Sequence, residues 1–153
     1  IAHWPAGIAA KDEFRRQPGH LIDVMATVVE VTGATYPKEF NGKPILPMEG
    51  RSLVPAFAKD VTVARDYLWW EHEGNRAIRA GDLKLVALKG GEWELYDLAK
   101  DRTEQHDLAT EQADKVKELA AKWEAWAVRA NVKPYPNEGG GKKAGKQQAK
   151  KES

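Results

Sequence analysis

Between Tyr67 and Leu98 the chain runs as four short extended segments: Tyr67–His72, Asn75–Ala80, Leu83–Leu88 and Glu92–Leu98. Tight turns at Gly74, Gly81-Asp82 and Gly90-Gly91 part them. Short strands joined in this way make an antiparallel meander. In the second segment Arg76 and Ile78 alternate with Ala77 and Arg79, the period of a half-buried strand. A meander of this kind turns one apolar face inward and needs a cover for it.

Residues 110–130 supply the cover. Val116, Leu119, Ala120, Trp123, Trp126, Ala127 and Ala130 fall on one helical stripe, and Lys115, Lys117, Glu118, Lys122 and Glu124 fall on the other side. Thr110 is the expected N-cap and Asp114 sits in the first turn, where the helix dipole favours an acid. Each Trp on the stripe can bury roughly 150–250 Å², so both are expected in a core against the meander rather than on a sugar-stacking surface.

The first half of the chain is less regular. Ile1–Trp4 is apolar and is stopped by Pro5 and Gly7, as at the end of a buried strand. Leu21–Val31 predicts a three-turn helix with Leu21, Val24, Met25, Val28 and Val31 at helical spacing and Gly33 just past its end. Pro37, Gly42, Pro44 and Pro47 argue against regular structure over 35–49, and Ser52 is expected to cap a single helical turn over 52–57.

The sequence contains no Cys, which excludes disulfides, thiolate metal sites and a Cys nucleophile. No apolar run approaches the ~18 residues of a membrane span, so no membrane partner is expected. The chain opens Ile-Ala-His-Trp, without Met, a basic leader or an apolar leader core, and so reads as cut from something longer rather than as a signal peptide. Six Lys and two Glu give residues 133–153 a charge of +4, which leaves −3 on the rest. That stretch is rich in Gly, Lys and Gln, cannot bury enough surface to offset its ordering entropy, and is expected to be a disordered, solubilising tail with no specific nucleic-acid partner.

The densest polar cluster is Glu71-His72-Glu73-Gly74-Asn75-Arg76, at a strand end and turn where side chains are displayed on a rigid support. His72 can donate or accept a proton, Asn75 can bond an ester or hydroxyl oxygen, and Arg76 offers a planar fork to an oxyanion. A charged hairpin without function would carry similar residues. Asp97, Asp101, Glu104 and Asp107 are spaced too loosely for a calcium loop and are expected to turn the chain. Ser52 lacks a nucleophile-elbow context and there is no Gly-rich phosphate loop.

Several blocks, in order, resemble the formylglycine-dependent type I sulfatases, arylsulfatase-like members of the alkaline phosphatase superfamily. They are Ala2-His3-Trp4-Pro5-Ala6-Gly7-Ile8; His20-Leu21-Ile22-Asp23 through Thr27 to Gly33-Ala34; and Gly50-Arg51-Ser52-Leu53. Next come Trp70-Glu71-His72 with Asn75-Arg76-Ala77-Ile78-Arg79, then Lys84-Leu85-Val86. Glu94-Leu95-Tyr96-Asp97-Leu98, with Asp101, Glu104 and Asp107-Leu108, closes the series. Leu83 departs from it, since many relatives have Trp there.

The resemblance implies an α+β chain. Residues 1–65 would be the tail end of the sulfatase α/β domain with a connecting loop. Residues 66–132 would be the C-terminal subdomain, a four-stranded antiparallel sheet packed on a long helix, and 133–153 the basic tail. It also implies hydrolysis of aryl or carbohydrate sulfate esters by the intact protein, with calcium as cofactor and a formylglycine made from the Cys or Ser of a C/S-x-P-x-R motif. Ser52-Leu53-Val54-Pro55 has the wrong spacing for that motif, so no catalytic or metal residue is expected in this chain. Glu71, His72, Asn75 and Arg76 are the substrate-binding residues the resemblance implies, at the pocket rim. The partners implied are a sulfate-ester substrate and the rest of the sulfatase chain, in a periplasmic or secreted setting. Two alternatives stay open: a stand-alone module binding sulfated or acidic polysaccharide, and part of a related phosphate or phosphonate ester hydrolase.

Overall fold

The computed structural model describes residues 1–9 and 12–135. The expectation for the basic tail therefore lies outside the described residues from 136 onward. The chain divides into two compact units, Ile1–Asp66 and the part from Tyr67 on.

The first unit carries α1 (Asp23–Thr32), a small hairpin of β1 (Glu39–Phe40) and β2 (Lys43–Pro44), and the single turn α2 (Pro55–Ala58). It is organised around one buried carboxylate. Asp23 has no exposed surface. Its Oδ1 accepts from Arg51 N (2.8 Å) and Arg65 Nη1 (3.2 Å), and its Oδ2 accepts from His20 N (2.8 Å) and Arg65 Nη2 (2.7 Å). Burial works to raise the Asp23 carboxyl, but the Arg65 fork and the Arg51 and His20 amides outweigh it, so its pKa lies below the ordinary carboxylate value. One helical turn on, Thr27 Oγ1 donates to Asp23 O and accepts from Leu53 N, tying α1 to the 50–53 segment. At Gly50 the two strands of chain lie so close that any Cβ would collide with the Ile22 carbonyl.

Three expectations for this unit are corrected. Ile1–Trp4 forms no strand but leads into a turn at Pro5–Gly7, because no described segment pairs with it. The 35–49 stretch does contain regular structure, the β1–β2 hairpin, in which Asn41 (φ 51°) and Gly42 (φ 73°) take the left-handed conformations a two-residue turn requires. Ser52 does not cap α2 directly; its Oγ accepts from Val54 N, and Pro55 starts the helix. The α1 prediction holds in place and in its Gly33 end, which is left-handed at φ 66°. Its apolar stripe, however, is exposed: Leu21 is 83% accessible and Val24 and Met25 each 54%, while the helix buries Asp23 and Ala26 instead.

The second unit is the expected meander and cover. Strands β3 (Leu68–His72), β4 (Asn75–Ala80), β5 (Leu83–Ala87) and β6 (Glu94–Asp97) pair antiparallel in sequence order, and α3 (Ala113–Arg129) lies across one face. Trp69, Ile78, Leu85 and Leu95 stand opposite one another across the four strands. Ile78, Leu85 and Leu95 have no exposed surface and pack with Leu119, Trp123 and Ala127 of the helix. Trp126 stacks on Trp69 at 5.7 Å, and Trp123 Nε1 donates to Trp70 O at 3.0 Å. The helix begins at Ala113, after Gln112, rather than after Thr110. Upstream, Asp107 Oδ1 accepts from Leu95 N and Ala109 N, while Asp101 Oδ2 accepts from Gln105 N and His106 N. The loose acids therefore turn the chain between β6 and α3.

Candidate functional site

The polar cluster singled out in the sequence forms the tip of the β3–β4 hairpin. Glu73 (φ 53°) and Gly74 (φ 87°) are both left-handed, the turn whose twist suits a two-residue hairpin. The carboxylate of Glu71 holds the turn, its Oε1 accepting from Gly74 N at 2.8 Å. Asn75 fixes the other side. Its Nδ2 donates to His72 O (2.9 Å) and its Oδ1 accepts from Lys89 N (3.1 Å), which ties the hairpin to the β5–β6 connection.

Glu71 pairs with Arg76 across the ladder and His72 with Asn75. Side chains alternate between the faces of a strand, so the four candidates separate two and two. Glu71 and Arg76 share the face of Trp69 and Ile78, under α3. His72 and Asn75 share the other face with Trp70 and Ala77.

Arg76 is the most engaged of the four. Its guanidinium lies over the Trp93 ring at 4.3 Å and near Trp123 at 5.7 Å, donates to Gly91 O at 3.3 Å, and stands 3.9 Å from Glu124 Oε1. His72 is the least engaged. It is exposed, and its side chain makes no hydrogen bond or ion pair with any described residue.

Behind the hairpin is an open cavity of about 380 Å³. Glu71, Gly74 and Arg76 line it from the sheet side, and Trp123, Glu124, Ala127 and Val128 from the helix. Gly90 and Val132–Tyr135 make the remaining wall. Val132 N donates to Ala127 O, which turns the chain off the end of α3. Tyr135 then reaches the hairpin, with its hydroxyl 3.3 Å from Glu73 Oε1 and Lys89 Nζ 4.7 Å from its ring. Composition places Lys133–Tyr135 with the tail, yet here they wall the cavity. The signal was Tyr135 itself, an aromatic side chain between two prolines whose φ is already fixed.

Among the described residues no three His, Asp or Glu side chains converge as metal ligands. None of the described residues therefore fits a calcium site, and the absence of Cys from the sequence excludes a formylglycine precursor of the Cys type.

Residues 1–129 match the family described as N-sulphoglucosamine sulphohydrolase, C-terminal. An uncharacterized sulfatase of Schizosaccharomyces pombe is 31% identical over 125 residues, covering 77% of this chain and 23% of its own. Among solved structures, that of Ps i-CgsB aligns with a TM-score of 0.61 at 21% identity, over 82% of this chain and 27% of that one. A 2-O GAG sulfatase aligns with a TM-score of 0.53 at 25% identity, over 72% of this chain and 25% of that one. The chain thus spans about a quarter of the length of the relatives it matches. On the match over residues 1–129, this chain belongs to the C-terminal family of the N-sulphoglucosamine sulphohydrolase group of sulfatases.

Proposed function

We propose that the intact protein hydrolyses sulfate esters of a carbohydrate, and that this chain contributes packing and part of the substrate rim rather than the reacting centre. The family match over residues 1–129 carries the reading. Likeness to a 2-O GAG sulfatase favours a saccharide over a simple aryl sulfate. Calcium and formylglycine, which type I sulfatases use to polarise and attack the ester, would be held by residues outside this chain.

In this reading the hairpin tip is a rigid platform. Glu71 and Asn75 spend hydrogen bonds on the turn itself, which fixes where His72 and Arg76 stand. His72 can donate to a sulfate or hydroxyl oxygen on one face, and the Arg76 fork lies on the other. A site that must orient a substrate gains from supports of this kind.

The test is sulfate release from a chromogenic aryl sulfate and from a sulfated saccharide. The full-length protein should release sulfate, with the saccharide preferred, and the 153-residue chain should release none. Turnover by the isolated chain would refute the assignment, and turnover of phosphate or phosphonate esters alone would replace sulfate as the substrate.

A further inference from the structure

We propose that the cavity between the β3–β4 hairpin, the end of α3 and Val132–Tyr135 is a subsite for an uncharged sugar ring, one that neighbours the sulfated unit and does not react. This rests on the sulfate-ester reading only for the polymer to which the ring would belong. A cavity of about 380 Å³ falls within the usual range for small-ligand sites, roughly 300–1,000 Å³.

Its chemistry suits a polyol. Charged side chains line it in balance, Arg76 and Lys133 against Glu71 and Glu124. An oxyanion gains little from such a wall, whereas vicinal hydroxyls can accept from a guanidinium and donate to a carboxylate. Glu71 has one oxygen committed to Gly74 N and keeps Oε2 for a ligand. Tyr135, which is exposed, supplies aromatic surface for the C–H face of a ring, and Val128 and Val132 the apolar remainder, with buried Trp123 and Ala127 forming the floor. A peptide fits less well. Only Glu71 of the edge strand β3 lines the cavity, so it does not follow the strand edge that an added strand would use.

The test uses the isotope-labelled 153-residue chain, at a concentration where it sediments as a monomer and its amide spectrum is dispersed, in NMR titrations with N-acetylglucosamine, N-acetylglucosamine 6-sulfate and sodium sulfate. Both sugars should give saturable shifts at the Gly74 and Tyr135 amides and the Trp123 indole, with Kd values of about 1 mM. Those values should agree with each other and be unchanged by added salt, since no net charge is neutralised. Sulfate alone should leave these signals in place. Glu71→Gln keeps an acceptor for Gly74 N, and Tyr135→Ala lies outside the core. Each should weaken sugar binding about tenfold in a chain whose spectrum stays dispersed. Truncation after Tyr135 should leave binding unchanged. No saturable shift at these signals, binding of the sulfated sugar alone with strong salt dependence, or unaltered binding in both variants would overturn the proposal.

In the full-length enzyme, Tyr135→Ala should raise KM for a sulfated oligosaccharide about tenfold and leave kcat/KM for an aryl sulfate unchanged. An equal fall for both substrates would also overturn it. Absence of sulfatase activity would instead refute the proposed function and leave the binding result standing.

Discussion

At the residue scale, Asp23 in the first unit and Asn75 in the second are polar groups whose hydrogen bonds are structural. Removing one partner of a buried, hydrogen-bonded ion pair typically costs about 3–5 kcal/mol. Asp23→Asn, which leaves Arg65 without its counter-ion, should therefore lower the stability of the chain by an amount of that order in urea melts. The pH dependence follows from the direction of the Asp23 shift. Its pKa is lower folded than unfolded, so the charged carboxylate favours the folded state. That stabilisation is fully present above the unfolded value, about 3.9, and is lost as pH falls through the lower folded value. Urea midpoints of the native chain should drop over that range more than those of Asp23→Asn, and equal slopes would show that Asp23 is not the responsible group.

The hairpin residues separate by the same reasoning. Asn75→Ala removes two hydrogen bonds that pin the tip, and each such bond contributes about 0.5–1.5 kcal/mol. It should lower the melting temperature. His72→Ala removes nothing from the described fold and should leave that temperature in place. In the full-length protein it should nonetheless raise KM for the sulfated saccharide about tenfold. A His72→Ala enzyme with native KM would remove His72 from the rim.

At the element scale, the covering helix supplies half of the buried core cluster of the second unit, Leu119, Trp123 and Ala127. Trp123 is 4% exposed, shares the core cluster with Ile78, Leu85 and Leu95, and donates to Trp70 O of the sheet. Trp123→Ala should cost about 3–5 kcal/mol, measured by denaturant melts. The meander and this helix were legible because periods of 2 and of 3.6 are properties of the chain alone. The split of the candidate site was also within reach. Alternation through Glu71, His72, Asn75 and Arg76 divides them between two faces, although their closeness in sequence suggests a single cluster.

Other features were not legible, each for a physical reason. Ile1–Trp4 has the composition of a strand, but a strand exists only with a partner to bond. The Asn41-Gly42 turn was hidden by the prolines around it, although Asn-Gly is itself a strong hairpin signal. Thr110 has the side chain of an N-cap, yet the chain is still in the turn set by Asp101 and Asp107 at that point. The cavity depends on where Tyr135 lands, and that contact spans 62 residues.

At the scale of the whole molecule, the chain matches its family over residues 1–129 and spans about a quarter of the length of the relatives it matches. The stripe of α1 is exposed, and Leu21, Val24, Met25 and Val28 form an apolar surface that soluble monomers rarely leave open. The isolated chain should self-associate through it. Val24→Lys with Val28→Lys should reduce that association in sedimentation experiments while leaving the melting temperature unchanged. A native chain that stays monomeric at high concentration would contradict this use of the surface.

The central claim is that the β3–β4 hairpin borders a substrate whose reacting sulfur is handled elsewhere. An experimental structure of the full-length protein with a sulfated saccharide measures this directly. His72 or Arg76 should lie within hydrogen-bond distance of the saccharide, and the ester sulfur should be surrounded by residues outside these 153. A saccharide bound far from the hairpin, or an ester sulfur held by side chains of this chain alone, would contradict the account.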